Sequence, residues 1–157
     1  MRNHKGTLPT LRDMTRAVLT WMLDMLDGGE RVAMASVIEA SGSVPGKPGA
    51  RLAMTSGGAK FGTVGGAGLE LKVESALRMM LNGGRESAHG KGGRVETFLL
   101  YKDGKGQEVT ALDSLCGGRV TVAMEVMEPV PHVLIAGGGH VGRSVAIVCA
   151  TLGWSQS

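Results

Sequence analysis

Cys116 lies in Leu115-Cys116-Gly117-Gly118, between two stretches of strand character. A thiol followed by two glycines has little steric cover and sits beside backbone N–H groups that favour a thiolate, as a nucleophile or a soft metal contact requires. The competing reading is a small buried hydrophobe, the fate of most free cysteines. A second centre is Gly62-Thr63-Val64-Gly65-Gly66-Ala67-Gly68-Leu69-Glu70, which passes from strand through glycine loop to helix. The loop amides and the positive end of the helix suit a phosphate or another anion. Glu70, in the first helical turn, offers the alternative of a helix end satisfied by its own carboxylate, and a plain tight turn also stays open.

A third centre, Gly137, Gly139 and Gly142, forms G-x-G-x-x-G between a strand and a helix, the spacing of a dinucleotide loop. Its acidic ribose partner belongs about 20 residues on, at or past Ser157. The expectation is therefore an incomplete Rossmann β-α unit that does not bind NAD(P) by itself, with His140 serving as a helix-start residue. The four histidines share no ligand spacing, and C-x-x-C, G-x-S-x-G and P-loop patterns are absent. Structural zinc, simple hydrolase and NTPase chemistry have no support.

Composition narrows the class further. Glycine is 26 of 157 residues, about 17% against a usual share of about 7%. No Gly-X-Y period runs through the chain and 43% of it is hydrophobic, which excludes collagen and simple disorder. Two Trp, one Tyr and two Phe cannot make a base-stacking platform. The basic excess of 17 − 14 = 3 is scattered singly, which excludes specific nucleic-acid binding but suits a small anionic ligand. No apolar run approaches the roughly 18 residues of a membrane span. The start, MRNHKGTLPTLRD, has no signal-peptide core, and two cysteines make no disulfide framework, so a cytoplasmic location is expected.

These centres must be held by an α/β fold. Thr10 and Asp13 predict a capped helix whose apolar face is Leu11, Met14, Val18, Trp21, Met22 and Met25, ending at Gly28-Gly29. Residues 32–38 are apolar on both faces and predict a central strand. A ten-residue loop, 40–49, follows, then short strands at 51–55 and 60–64. A helix is expected over 69–81, with a Glu74–Arg78 pair on its surface and a stop at Asn82-Gly83-Gly84. Beyond a polar loop, 95–101 is a strand, 102–106 a turn and 108–112 its hairpin partner. Residues 119–126 alternate as a half-buried strand. Pro129-Val130-Pro131 is a stiff linker. The expected organisation is a domain over 1–128 with a mixed sheet and two packing helices, a linker at 129–131, and a strand, glycine loop and helix over 132–157. Cys149 belongs to the core. The unfinished unit after Pro131 exposes apolar surface, which predicts a homo-oligomer.

Together, Gly42-Ser43-Val44-Pro45, Gly49-Ala50-Arg51, GTVGGAGLE (62–70), LCGG (115–118) and HVLIAGGGHVG (132–142) resemble the XdhC/CoxI family, in the same order from about Val32 to Gly153. The resemblance implies an accessory protein for xanthine dehydrogenase and related molybdenum hydroxylases rather than a turnover enzyme. Such a protein binds molybdenum cofactor (molybdopterin), assists its sulfuration and its insertion into the apoenzyme, and works with a cysteine desulfurase. It implies a cofactor site from Ser43, Lys47, Arg51, Gly65, Gly66, Gly68, Glu70, Cys116, Gly117 and Gly118. Arg51 or Lys47 would neutralise the phosphate, and Cys116 would face the molybdenum end. The chain departs from the family at Ala67-Gly68, where Gly-Ala is usual, and at Leu115, where some members have a second cysteine. The competing functions are an NAD(P)-binding oxidoreductase fragment and a non-catalytic oligomeric interaction subunit.

Overall fold

The computed structural model describes residues 10–83, 93–101, 110–113 and 117–157. The polar loop expected over 84–92, the turn at 102–106 and the Leu115-Cys116 pair lie outside the described residues.

Helix α1 (Leu11–Asp27) begins with a reciprocal capping box. The Thr10 hydroxyl accepts from the Asp13 N–H at 3.2 Å, while the Thr10 N–H and hydroxyl donate to Asp13 Oδ2 at 2.9 and 2.8 Å. Val18 and Met22, four residues apart, are its buried side chains. A single six-stranded sheet holds β1 (Val32–Gly42), β2 (Arg51–Thr55), β3 (Lys60–Thr63), β4 (Arg94–Tyr101), β5 (Thr110–Asp113) and β6 (Gly118–Met127) in the order β3-β2-β1-β6-β4-β5. β1 pairs antiparallel with β2 from Val32↔Thr55 to Ser36↔Arg51, and with β6 from Val32↔Met127 to Gly42↔Gly118, with a register shift between Val37 and Glu39.

Both faces of β1 are buried, which is why its sequence is apolar without alternation. Val32 packs with Ala53, Val18 and Met22 on the α1 side, where Trp21 and Phe61 stack with ring centroids 6.0 Å apart. Helix α2 (Ala67–Asn82) covers the other face. Its Leu69, Val73, Leu77 and Leu81 join Ala35, Val37, Leu52, Met54, Phe98, Val120 and Met124 in the main core. Arg31 ties three elements at one end of the sheet: its Nε donates to both Glu128 oxygens at 2.9 and 3.0 Å, and a terminal nitrogen donates to the Leu81 carbonyl at 2.6 Å.

The sequence expectations hold in outline for these elements, with three corrections. β1 runs on to Gly42, pairing with β6, and so takes Ala40, Ser41 and Gly42 from the loop expected over 40–49. β5 runs parallel to β4, from Phe98↔Thr110 to Tyr101↔Asp113, so the two are not a hairpin. Eight residues separate them, more than the two to five that usually close a hairpin. Glu74 forms its ion pair with Lys60 of β3 instead of Arg78 one helical turn on, so the carboxylate clamps α2 to the sheet.

After Pro131 the chain forms β7 (His132–Val133), α3 (His140–Leu152) and β8 (Ser155–Gln156), with β7 and β8 parallel. The strand expected to run to Ala136 is shorter because its ladder can be no longer than β8. A left-handed Gly153 (φ +69°) turns the chain into that second strand, which sequence reasoning missed. Cys149 is buried, as expected. Val141, Val145, Val148 and Leu152, spaced four, three and four apart, form an apolar stripe on α3 that is 37–78% exposed.

The capping box has a pH signature. The Thr10 backbone N–H, and then its hydroxyl, hold the Asp13 carboxyl below its ordinary value of 3.8. The stability this lends is present above 3.8 and is lost as pH falls through the lower folded-state value. Thermal melts should therefore show Asp13→Asn less stable than the wild type at pH 7, and the gap should close in titration below pH 3.8; a gap independent of pH would remove the charge from the cap.

Candidate functional site

The expected site residues come from three stretches, and the loop between β1 and β2 touches Gly65 and Gly66 of one and Gly117 and Gly118 of another. At one end of that loop, Gly42 (φ +77°) and Gly118 pair across β1 and β6. A β-carbon on Gly118 would lie 2.4 Å from the Ser41 carbonyl oxygen and 2.5 Å from Val44 Cγ1. The Ser43 N–H donates to the Gly117 carbonyl at 2.8 Å. At the other end, a β-carbon on Gly65 (φ +133°) would lie 2.7 Å from the Gly46 nitrogen, and one on Gly66 would lie 3.1 Å from Pro45 Cγ. Residues 43–46 are thus packed between the start of β6 and the start of α2, main chain against main chain.

This contact sorts the glycines. Gly65, Gly66 and Gly118 are needed for the close approach of neighbouring chain. A β-carbon on Gly68 or Gly117, by contrast, meets nothing within 4 Å among the described residues. Both positions are exposed, so neither glycine is required by packing.

The start of α2 is electrostatically open. Its N-cap, Gly66, has no side chain and makes no side-chain cap bond. The Glu70 N–H is the first to find an intrahelical acceptor, the Gly66 carbonyl at 3.1 Å, so the amides before it are orphan donors of the helix end. The sequence offered Glu70 as their partner, but its carboxylate instead accepts from the Thr63 hydroxyl, whose oxygen accepts from the Gly65 N–H at 3.2 Å. The reason is register. A capping box uses the third helical residue, here Leu69, and Glu70 is the fourth.

The two cations separate. Arg51 extends toward α1, donating to the Thr15 hydroxyl at 2.9 Å and the Gly49 carbonyl at 3.0 Å. Helix α2 packs on the opposite face of the sheet. Arg51 therefore braces the loop against α1, while Lys47 is exposed on the loop, with no ion-pair partner among the described residues. Cys116 lies outside the described residues. Gly46 and Thr63 belong to this arrangement but were not among the expected site residues. Their signal was a Pro-Gly dipeptide in a long loop and a hydroxyl seven residues before Glu70.

The 137–142 loop is a separate feature. Gly137 has φ +117°, and a β-carbon on Gly142 would lie 2.4 Å from the Gly137 carbonyl oxygen and 3.2 Å from Ile135 Cγ2. Gly142 thus allows α3 to sit close on residues 135–137, which follow β7, and Gly139 opens the helix with nothing within 4 Å of its β-carbon position among the described residues. An open cleft of about 550 Å³ is lined here by Ala136, Gly137, Gly139 and His140 among others. Among the described residues no cluster of His, Cys, Asp or Glu could hold a metal, and no helix is long and apolar enough to cross a membrane.

Residues 25–90, which carry the 40–49 loop and the 62–70 junction, match the XdhC and CoxI family. Over that segment the chain is similar to the XdhC and CoxI family. It is 30% identical over 123 residues to the uncharacterized protein YqeB of Escherichia coli strain K12, a match that covers 78% of this chain and 20% of that protein. The chain thus spans about a fifth of the length of that relative. A crystal structure of a xanthine dehydrogenase from Bacillus halodurans matches 68% of this chain and 29% of that chain, at 22% identity and a TM-score of 0.48. The XdhC and CoxI match covers the β1–β2 loop and the start of α2, and stops before β6 with its Gly117-Gly118 turn.

The sorting of glycines can be checked by alanine substitution. Gly65→Ala and Gly118→Ala should each lower the unfolding free energy by about 1–3 kcal/mol through overpacking, with a disfavoured φ adding to the loss at Gly65. Gly117→Ala should cost less than about 1 kcal/mol, and Gly68→Ala should stabilise by up to about 1 kcal/mol through helix propensity. Equal losses at all four positions in urea unfolding would remove the distinction.

Proposed function

We propose that the chain is a molybdenum-cofactor-binding accessory protein that assists sulfuration of the cofactor and its insertion into xanthine dehydrogenase-type hydroxylases. The match of residues 25–90 to the XdhC and CoxI family supports the reading. The observation that carries it is the pairing of an uncapped helix start with two glycines, Gly68 and Gly117, whose missing side chains leave open space. Molybdopterin, when bound, presents a phosphate at one end and a dithiolene-held molybdenum at the other. The phosphate suits the orphan amides at the start of α2, with Lys47 as its counter-charge. The molybdenum end suits the soft thiol of Cys116 beside Gly117. Ser43, Gly65, Gly66 and Gly118 hold the frame, and Glu70 positions Thr63 and Gly65. The protein's part is to bind, orient and shield the group rather than to turn over a metabolite.

In this proposal residues 1–128 form the cofactor-binding unit, 129–131 a linker and 132–157 the first part of a Rossmann-type unit. The partners are a xanthine dehydrogenase-type apoenzyme, a cysteine desulfurase and a second copy of the chain; the exposed stripe of α3 supports self-association. Light scattering at tens of micromolar, the range for a weak partner, should show a dimer or larger species, and a monomer would count against it.

The direct test mixes purified protein with molybdenum cofactor and follows pterin fluorescence and molybdenum through gel filtration. Both should co-elute with the protein. Cys116→Ser should lower retention about tenfold, roughly 1.4 kcal/mol, with an unchanged circular dichroism spectrum. No co-elution sinks the proposal, and undiminished retention by the variant removes Cys116 from the site. The glycine loop at 137–142 supports NAD(P) binding as the second reading; calorimetric silence at millimolar NAD and NADP would dispose of it.

A further inference from the structure

Gly46 is buried, uncharged and without a side chain, and it lies against the start-of-α2 half of the candidate site, while Ser43 and Val44 of the same loop lie against the other half. A β-carbon added to it would lie 2.4 Å from the Val64 carbonyl oxygen, whereas β-carbons essentially never approach other atoms within 3.0 Å. The obstructing atom is backbone, so the loop at Gly46 and the chain at Val64 would have to separate by at least 3.0 − 2.4 = 0.6 Å. Val64 cannot move inward, because the Val64 and Leu69 side chains are packed at 0% and 1% exposure. Movement of Val64 passes to Gly65 and to Gly66, the N-cap of α2, and movement of Gly46 carries the loop away from that helix start. Meanwhile the other end of the same loop is fixed to β6 through Ser43 and Gly117, and through Val44 against Gly118.

We propose that Gly46 is a positioning residue: it sets the spacing between the start of α2 and the Gly117-Gly118 turn, and so selects ligands long enough to contact both. The selection rests on the cofactor-binding reading above, while the spacing role stands on packing alone. Misplacement of a binding group by a fraction of an ångström is enough to cost an order of magnitude in recognition.

The test compares Gly46→Ala with Val73→Ala, a core truncation in α2 that lowers stability without adding an atom to the loop. Amide exchange in the unbound proteins should be faster at residues 65–69 in Gly46→Ala, by about tenfold relative to Val73→Ala at matched global stability. Retention of molybdopterin should fall about tenfold in Gly46→Ala and stay within twofold of wild type in Val73→Ala, at equal fractions folded. Equal exchange in the two variants overturns the proposal, as does equal retention. If the wild type retains no molybdopterin, the proposed function fails, and the exchange comparison alone decides the role of Gly46. Should Gly46→Ala not fold, Pro45→Ala, which removes the Pro45 ring from Gly66 without overpacking, should raise exchange at 66–69 about threefold. No change in that variant would overturn the spacing role.

Discussion

Between the end of β1 and the start of α2, main chain lies directly on main chain, and the space for a β-carbon does not exist. Gly46 meets Val64 and Gly65, and Gly118 meets Ser41 and Val44. Each such contact brings peptide dipoles closer than any other residue type would permit, at the cost of the extra backbone entropy that glycine loses on folding. The cost is tolerable because the two cores on either face of the sheet are already closed by α1 and α2. The loop is therefore shaped from outside itself, by β6 on one flank and the β3–α2 junction on the other.

The sheet order makes this possible. β1 is central, so its C-terminal end delivers the chain into the angle between its two neighbours, β2 and β6. Residues separated by more than 70 positions, Gly42 and Gly118, become cross-strand partners, and the helix following β3 begins beside the same loop. The dipole of α2 then points its unsatisfied amides toward this junction, since Gly66 cannot cap and Glu70 is one residue too late to do so. Polar chemistry and tight packing meet there for one reason: glycine both permits the approach and removes the cap.

Much of this was legible in the residues. The Thr10–Asp13 box, the two-faced apolar run of β1 and the alternation of β6 each state a local rule that the fold obeys. The parallel direction of β5 was not legible, because pairing direction depends on how the chain returns, not on which residues are apolar. Arg51 resembled a phosphate ligand, and only the structure turns it toward Thr15, since its face depends on strand phase. Gly46 was invisible as a contact, because a residue with no side chain announces only that space is short and never names its neighbour. Glu74 chose Lys60 over Arg78 because tertiary approach placed a cation from β3 beside it. The second strand, β8, was missed because two residues carry no period at all.

The central position of β1 also governs the order in which the protein can fold as it is made. α1, β1, β2, β3 and α2 are consecutive, so these elements can assemble from chain already synthesised, with short loop closures. The β6 edge of β1 must wait until residues 118–127 emerge. Until then a long, apolar strand presents an unpaired edge on the nascent chain, the geometry that invites pairing with another molecule. Chaperone dependence and yield on expression should accordingly respond to the rate of synthesis across residues 93–127 more than to any change in the finished fold.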